Sequence, residues 1–146
     1  MTQLTDHFSL EEMTHSSTAL RLQIDNRPPL QVVAALTRCA MGLEHVRALL
    51  GAPMHIDSGF RSLALNKVVG GAWNSAHMTG FAADFTCPDF GSPKAIAQAI
   101  AASDIQFDQL ICEGTWVHIS FAREMRREVL TAHFNAGGGT TYTKGI

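Results

Sequence analysis

The sequence lacks the features that mark several large classes of protein. Its three cysteines are odd in number and show no CxxC spacing, which argues against a disulfide framework or a cysteine zinc site and indicates reduced, buried thiols. No apolar run approaches the roughly 20 residues that a membrane helix needs. The net charge is only -2, so the composition gives no reason to expect a nucleic-acid or membrane partner.

The first residues also lack an export signal. Met1 to Phe8 contains no basic segment followed by an apolar one, which a secretory signal peptide would show. Reduced thiols agree with this interpretation, since disulfides are rare in the cytoplasm. We therefore expect the protein to be cytoplasmic at synthesis, and we expect it to be a monomer.

The sequence does contain enough apolar material for one compact domain. It has 146 residues, of which 46% are hydrophobic, and a chain of this size can bury a sizeable core. We assign the domain to residues 1–134. Asn135 and the glycines that follow it predict a flexible, Gly-rich C-terminal tail over residues 135–146.

Helices are predicted where capping residues and helical periodicity coincide. Ser9 and Glu12 form a capping box that opens a short helix. From Pro29, apolar residues recur at three- and four-residue steps until Gly51, which predicts a long core helix. Two shorter helices are predicted from their caps, one after Ser62 and one from Lys94 to Ala102 behind Ser92-Pro93.

Strands are predicted from the alternation of apolar and polar side chains. Met54 to Asp57 is a short strand candidate. In residues 81–86, alternation puts two phenylalanines and an alanine on one face, so Asp84 lies on the other. The segment from residue 122 to 134 fits either a helix or a strand.

A hairpin predicted over residues 107–121 brings polar side chains together on one face. Gly114 and Thr115 fit a two-residue type II′ turn. Cross-strand pairing then puts Glu113 diagonal to His118, at roughly 6–8 Å between Cβ atoms. A carboxylate at this distance can reach a water on a metal held by His118 without binding the metal itself.

His77, Asp84 and His118 are the candidate metal ligands. Two imidazoles and one carboxylate make a three-ligand set that suits zinc and leaves a fourth position for water. Glu113 can serve as a base toward that water. If these four groups meet in space, the chain is a metal-dependent hydrolase.

Three further residues are candidates for catalysis or substrate binding. Arg61 can hold a developing oxyanion or a substrate carboxylate, Ser75 can hydrogen-bond the substrate backbone, and Trp116 can line the cleft. Each also has an ordinary structural interpretation: an arginine bound to backbone carbonyls, a serine that caps a loop, and a core aromatic. On spacing alone, His118 likewise fits a buried core histidine.

Taken together, these segments resemble the zinc D-Ala-D-Ala carboxypeptidase and peptidoglycan endopeptidase family, whose fold is shared with the hedgehog signalling domain. The family shows SGYRS, an asparagine, SxHxxGxAxD, and a WxH or HxH strand. The corresponding segments here, in the same order over roughly residues 5 to 130, are Ser58-Gly-Phe-Arg-Ser62, Asn66, Ser75-Ala-His-Met-Thr-Gly-Phe-Ala-Ala-Asp84 and Trp116-Val-His118.

The resemblance implies one zinc ion per chain, held by His77, Asp84 and His118, with Glu113 as the catalytic base and Arg61 near the oxyanion or substrate. It also implies an α+β fold, with helices packed on one face of a small antiparallel sheet and the zinc cleft on the other. Two positions depart from the family pattern. Phe60 replaces the commoner tyrosine, and Trp116 stands where HxH members have a second histidine that could contact an oxyanion.

By resemblance, the expected substrate is the peptide stem of peptidoglycan. Both carboxypeptidase release of terminal D-Ala and endopeptidase cleavage, for example at L-Ala-D-Glu, are left open. The short chain resembles phage or prophage lysis enzymes that act on the cell wall after release. The alternatives are a zinc-stabilised binding module without catalysis and a virion-associated structural component.

Overall fold

The structure, a computed structural model, describes residues 1–146 and contains five α-helices, one short 3-10 helix and six strands. The helices are α1 (Leu10–Thr14), α2 (Ser17–Leu22), α3 (Leu30–Leu50), α4 (Leu63–Val68) and α5 (Pro93–Ala101), with the 3-10 helix at Ala76–Thr79. The strands are β1 (His55–Ser58), β2 (Ala82–Thr86), β3 (Gln109–Cys112), β4 (Val117–Ser120), β5 (Glu128–Phe134) and β6 (Thr140–Lys144). None of the helices is both long enough and apolar enough to span a bilayer.

All six strands form one sheet in the order β1-β2-β4-β3-β5-β6. Neighbouring strands are antiparallel except β3 and β5, which run parallel. The predicted α+β class is therefore confirmed. The sheet is mixed rather than wholly antiparallel, because the chain crosses from β4 past β3 before β5 begins.

The hydrophobic core lies between the helices and one face of the sheet. Along β2, Ala83 and Phe85 are fully buried in this core, as the alternation predicts. The long helix α3 contributes the other side of the core through one buried stripe, and α5 packs on β3 and β4. The buried residues of that α3 stripe are Val32, Ala35, Leu36, Cys39, Ala40, Leu43, Val46 and Leu50.

The predicted caps are present. Ser9 accepts a hydrogen bond from the Glu12 amide at 3.1 Å, and the Glu12 carboxylate bonds back to the Ser9 amide. Gly51 ends α3 with φ 66, a conformation that glycine adopts without a Cβ clash. The short helix α2 was not predicted. Its cap, Ser16, accepts a hydrogen bond from the Ala19 amide.

The predicted register of the β3–β4 hairpin and its two loop residues are confirmed. Ile111 lies opposite His118, as expected. The Thr115 amide donates to the Glu113 carbonyl across Gly114, which has φ 78. The Glu113 amide also donates to the Trp116 carbonyl at 3.0 Å, so Gly114 and Thr115 are the two loop residues, and glycine stands where the prediction needs a positive φ.

The expected flexible tail is wrong for part of its length. Thr140–Lys144 forms β6, which pairs antiparallel with β5. Gly138 and Gly139, with φ 92 and 79, allow the chain to reverse between the two strands. β5 itself resolves the ambiguity of residues 122–134 in favour of a strand. The sheet therefore continues for two strands beyond the predicted hairpin.

Candidate metal centre

Asp84 and His118 meet because β2 and β4 are neighbours. The two residues lie directly opposite each other in the antiparallel pairing. Both side chains point to the sheet face away from the core, where His118 Nδ1 lies 2.9 Å from Asp84 Oδ1. Both residues are buried. Strand register alone thus brings together two donors separated by 34 positions in the chain.

His77 reaches the same point from the 3-10 helix that precedes β2. Its Nδ1 lies 2.7 Å from the carbonyl oxygen of Gly59. Because a carbonyl can only accept, Nδ1 carries the proton and Nε2 is left with its lone pair. Nε2 lies 3.3 Å from Asp84 Oδ1. A backbone partner of this kind fixes the tautomer and ring orientation that metal-binding histidines use.

The loop before α4 depends on glycine to bring that carbonyl close. A Cβ at Gly59 would collide with the carbonyl oxygen of Met13 in α1. The Phe60 amide in turn donates to the same Met13 oxygen at 2.8 Å. Gly59 therefore lets the loop pack against α1 while its own carbonyl faces His77.

The three donors fit a metal ion. Their ligand atoms all lie within 4.8 Å of one another. His77 Nε2 is buried and has no hydrogen-bond partner, although buried polar atoms are nearly always satisfied. Two imidazoles and a carboxylate are a common three-ligand set for zinc. A cation held here by His77, Asp84 and His118 would give the orphaned nitrogen its partner.

The electrostatics favour the protonation states that a metal needs. Burial alone would raise the pKa of Asp84, but the adjacent His77 and His118 outweigh it and hold the pKa below its usual range. Burial lowers the pKa of His77, and the attraction of Asp84 only partly opposes this shift. At neutral pH the site thus presents a carboxylate and a neutral imidazole, which are the ligand forms.

Arg61 lies beside the cluster, and only 15% of its side chain is exposed. Its Nη2 lies 3.9 Å from Asp84 Oδ2, and its Nη1 donates to Asn66 Oδ1 at 3.1 Å. Burial lowers the pKa of Arg61, whereas Asp84 and Glu113 raise it, and the guanidinium stays charged. Its Nε is buried without a partner. The hydrogen bond to Asn66 therefore holds the charged guanidinium beside Asp84.

Glu113 follows the last residue of β3 and lines the same cleft. It stands outside the three-donor cluster. Burial raises the pKa of Glu113, the charge of Asp84 raises it further, and His118 and Arg61 oppose the shift. A partly buried carboxylate with a raised pKa beside the three donors fits the role of a general base.

Ser75 and Trp116 also line this cleft, whose volume is about 640 Å³. The Ser75 hydroxyl oxygen accepts from the His77 amide at 3.2 Å and so caps the 3-10 helix that carries His77. The Trp116 ring packs on Phe134 at 6.4 Å between centroids, and its indole nitrogen is buried without a partner. The structure thus gives Ser75 a local capping role and puts Trp116 on the cleft wall.

Sequence reasoning missed the part of the cleft lining that β5 and β6 supply. Leu130 of β5 and Tyr142 of β6 face the same space. Both fall in segments that were predicted as ambiguous or as tail. The Thr-Tyr-Thr alternation at residues 141–143 was the available signal for a strand.

A larger cavity, of about 910 Å³, lies between α3 and the segment after β4. Its walls include Met41 and Phe81, and its only acidic residue is Asp104. The donor cluster is in the smaller cleft. Chemistry and not size therefore selects the candidate site.

A buried His/Asp/His donor set, with a free carboxylate beside it in an open cleft, is the arrangement of the mononuclear metallohydrolases. The family model for Peptidase M15 matches residues 6–120, which include every residue of the donor cluster as well as Arg61 and Glu113. The chain therefore belongs to the peptidase M15 family, the zinc carboxypeptidase family that the sequence motifs resemble, and it is a zinc metallopeptidase. No curated protein matches the chain.

Proposed function

We propose that this protein hydrolyses peptide bonds in the stem peptides of peptidoglycan. The observation that carries the proposal is the convergence of His77, Asp84 and His118, with an orphaned imidazole nitrogen, beside the carboxyl group of Glu113. Membership of the peptidase M15 family supports both the reaction class and the substrate. In this proposal one zinc ion is held by the three donors.

Zinc held by His77, Asp84 and His118 would supply a Lewis acid that activates the attacking water and the scissile carbonyl. Glu113 accepts a proton from the attacking water on its carboxylate and, as the C–N bond breaks, delivers it to the departing amine nitrogen. Its raised pKa suits both halves of this transfer, because the same group must first gain and then lose the proton. General acid–base catalysis of this kind contributes roughly 10²–10⁴-fold to the rate.

Arg61 stabilises the negative charge that develops on the substrate. Its guanidinium lines the cleft, with Nη2 at 3.9 Å from Asp84 Oδ2. This role matters because Trp116 supplies no imidazole for the oxyanion. Ser75 accepts a hydrogen bond through its oxygen, so its own O–H proton is free to donate to the substrate backbone.

The shape of the cleft supports endopeptidase cleavage over release of terminal D-Ala. A second cavity, of about 310 Å³, continues beyond the cluster toward α1 and α2, where His15 and Ser16 line it. The two cavities share four lining residues, Arg61, Val69, Asp84 and Trp116. A substrate groove that is open on both sides of the reacting centre accommodates a chain in both directions, whereas an exopeptidase closes one end.

The proposal is tested by digesting purified cell-wall sacculi with the zinc-loaded protein and identifying the soluble products by mass spectrometry. Endopeptidase activity within the stem separates glycan from peptide, as cleavage at L-Ala-D-Glu would. Free alanine would instead identify a carboxypeptidase. A protein that binds zinc and sacculi without releasing either product would be a zinc-stabilised binding module, and the proposed hydrolysis would be wrong. Glu113→Gln is the matched inactive control.

A further inference from the structure

The β5–β6 hairpin adds a wall to the cleft that the family match does not include. The match ends at residue 120, and the hairpin spans Glu128–Phe134 and Thr140–Lys144. Leu130 and Tyr142 from these strands nevertheless line the cleft together with the metal cluster. The C-terminal segment of the chain therefore supplies this wall of the cleft from outside the matched region.

Strand register puts Tyr142 in line with the proposed base. Trp116 and Glu113 close the β3–β4 hairpin through a backbone hydrogen bond of 3.0 Å. β3 and β5 pair in parallel register up to Cys112, so Glu113 comes next to Ala132. Ala132 in turn lies opposite Tyr142 in β6.

These four side chains therefore form one row across the cleft face of the sheet. Adjacent strands are roughly 4.8 Å apart, so the backbones of Glu113 and Tyr142 are separated by about 10 Å. The residue between them, Ala132, is buried, and its side chain is only a methyl group, so longer side chains can extend over it from either side. A tyrosine side chain extends far enough to direct its hydroxyl over Ala132 toward the base.

The electrostatics of Tyr142 agree with this arrangement. Partial burial raises the pKa of its hydroxyl, and the charge of Glu113 raises it further. The phenol is thus protonated at neutral pH and able to donate a hydrogen bond. Because 52% of the residue is exposed, the ring is also accessible to a molecule that enters the cleft.

We propose that Tyr142 is a substrate-binding residue that donates a hydrogen bond from its hydroxyl to a carbonyl or carboxylate oxygen of the bound peptide, along the face formed by β3, β5 and β6. The inference rests on the proposed function. Stem peptides supply many such acceptors in a short length, and a hydroxyl donor on this wall of the cleft would hold one of them as the peptide binds.

The test compares steady-state hydrolysis of a soluble stem peptide by the wild type, Tyr142→Phe, Tyr142→Ala and Thr141→Ala. Thr141 is the matched control because it lies next to Tyr142 on the opposite face of β6. Loss of one hydrogen bond of about 1 kcal/mol corresponds to a roughly 5-fold change. Tyr142→Phe is therefore expected to raise KM by ~3–10-fold with kcat and Tm unchanged, and Tyr142→Ala by more.

Calorimetric binding of the uncleaved peptide to zinc-loaded Glu113→Gln, with and without Tyr142→Phe, separates affinity from turnover and should show the same fold loss. If the wild type cleaves the peptide and the Tyr142 variants match Thr141→Ala in KM and affinity, the role of Tyr142 is wrong and the proposed function stands. If the zinc-loaded wild type neither binds nor cleaves the peptide, the proposed function fails, and the inference fails with it.

Discussion

His77 has the tautomer, burial and orientation that a metal-binding histidine needs. The Gly59 carbonyl holds the proton on Nδ1, and burial keeps the ring neutral, so Nε2 faces Asp84 with a free lone pair. An orphaned buried nitrogen costs folding free energy of about 1–3 kcal/mol unless it gains a partner. We infer that the metal-free protein is destabilised at this point and that zinc relieves the cost.

Replacing a ligand should therefore remove zinc and stability together. We expect His118→Ala to lower zinc affinity by more than the ~10–100-fold that loss of a supporting hydrogen bond costs, because a ligand itself is removed. Zinc content after dialysis and the Tm in excess zinc measure both effects. His55→Ala is the control, since the His55 side chain is 75% exposed in β1. Wild-type zinc content in His118→Ala would exclude His118 as a ligand.

Glu113 should be separable from metal binding, because it lies outside the donor cluster. We expect Glu113→Gln to retain one zinc per chain and to lose ~10²–10⁴-fold in kcat/KM, since glutamine has the same shape but cannot accept the proton. Glu124→Gln, at an exposed position of the loop before β5, is the matched control. Unchanged turnover in Glu113→Gln would remove Glu113 from the mechanism.

At the scale of elements, the segment between α4 and the 3-10 helix positions Arg61. A Cβ at Gly71 would collide with Asn66 Oδ1 and come within 2.7 Å of Arg61 Nη1. Asn66 is itself fixed, since its amide donates to the Ala72 carbonyl at 3.0 Å. The backbone at Gly71 therefore packs directly against the Asn66 side chain and the Arg61 guanidinium that donates to it.

We accordingly expect Gly71→Ala to displace Arg61 and to lower kcat/KM about 10-fold or more, because small displacements of a charge-stabilising group are costly in catalysis. Zinc content should stay at the wild-type level. Gly137→Ala is the matched control, because an added Cβ there meets nothing within 4 Å and the backbone has no positive φ. Equal activity of the two variants would argue against a positioning role for this segment.

The elements that could be predicted are those whose burial leaves a periodic pattern. α3 has its stripe and its Gly51 stop, and the β3–β4 hairpin has alternation on both strands. α2 has neither, because Leu20 and Leu22 are exposed and its Ser16 cap is an isolated signal. All five residues of β6 are exposed, so only backbone pairing with β5 makes it a strand.

The residues of the site likewise divide into those that a periodic pattern predicts and those that it does not. Alternation in β2 and pairing in the hairpin predicted the side on which Asp84 and His118 lie. The approach of His77 depends on a tertiary contact with the Gly59 carbonyl, which no periodicity records. Tyr142 could not be placed because its strand has no burial signal. The motif resemblance implied His77 as a zinc ligand, but it could not place Tyr142, which lies beyond the matched region.

At the scale of the whole molecule, the two faces of the sheet have different roles: one packs the hydrophobic core, and the other lines the cleft. The core face packs on α3 and α5, and the cleft face carries the donor cluster of His77, Asp84 and His118. Adjacent residues of β2 illustrate this division, since Phe85 lies in the hydrophobic core and Asp84 belongs to the donor cluster in the cleft. The family match covers the chain as far as the end of β4, and the β5–β6 hairpin adds two more strands to the sheet.

This arrangement has a cost in stability that should depend on pH. The pKa of Glu113 is raised in the folded state, so ionisation of Glu113 opposes folding. The penalty is absent below the ordinary carboxyl pKa and develops as pH rises through the raised folded value. In chelator, Glu113→Gln should therefore have a higher Tm than the wild type at pH 7, and the difference should vanish in acid. A wild type that is as stable as Glu113→Gln at pH 7 would contradict this sign.

Zinc reconstitution tests the central claim most directly. The chelated, metal-free protein is titrated with zinc while bound metal and hydrolysis of a stem peptide are measured on the same sample. We predict that activity is absent without metal, rises in proportion to bound zinc, and saturates at one ion per chain in the wild type. Full hydrolysis by the metal-free protein, or one bound zinc per chain in a variant that lacks both His77 and His118, would contradict the account.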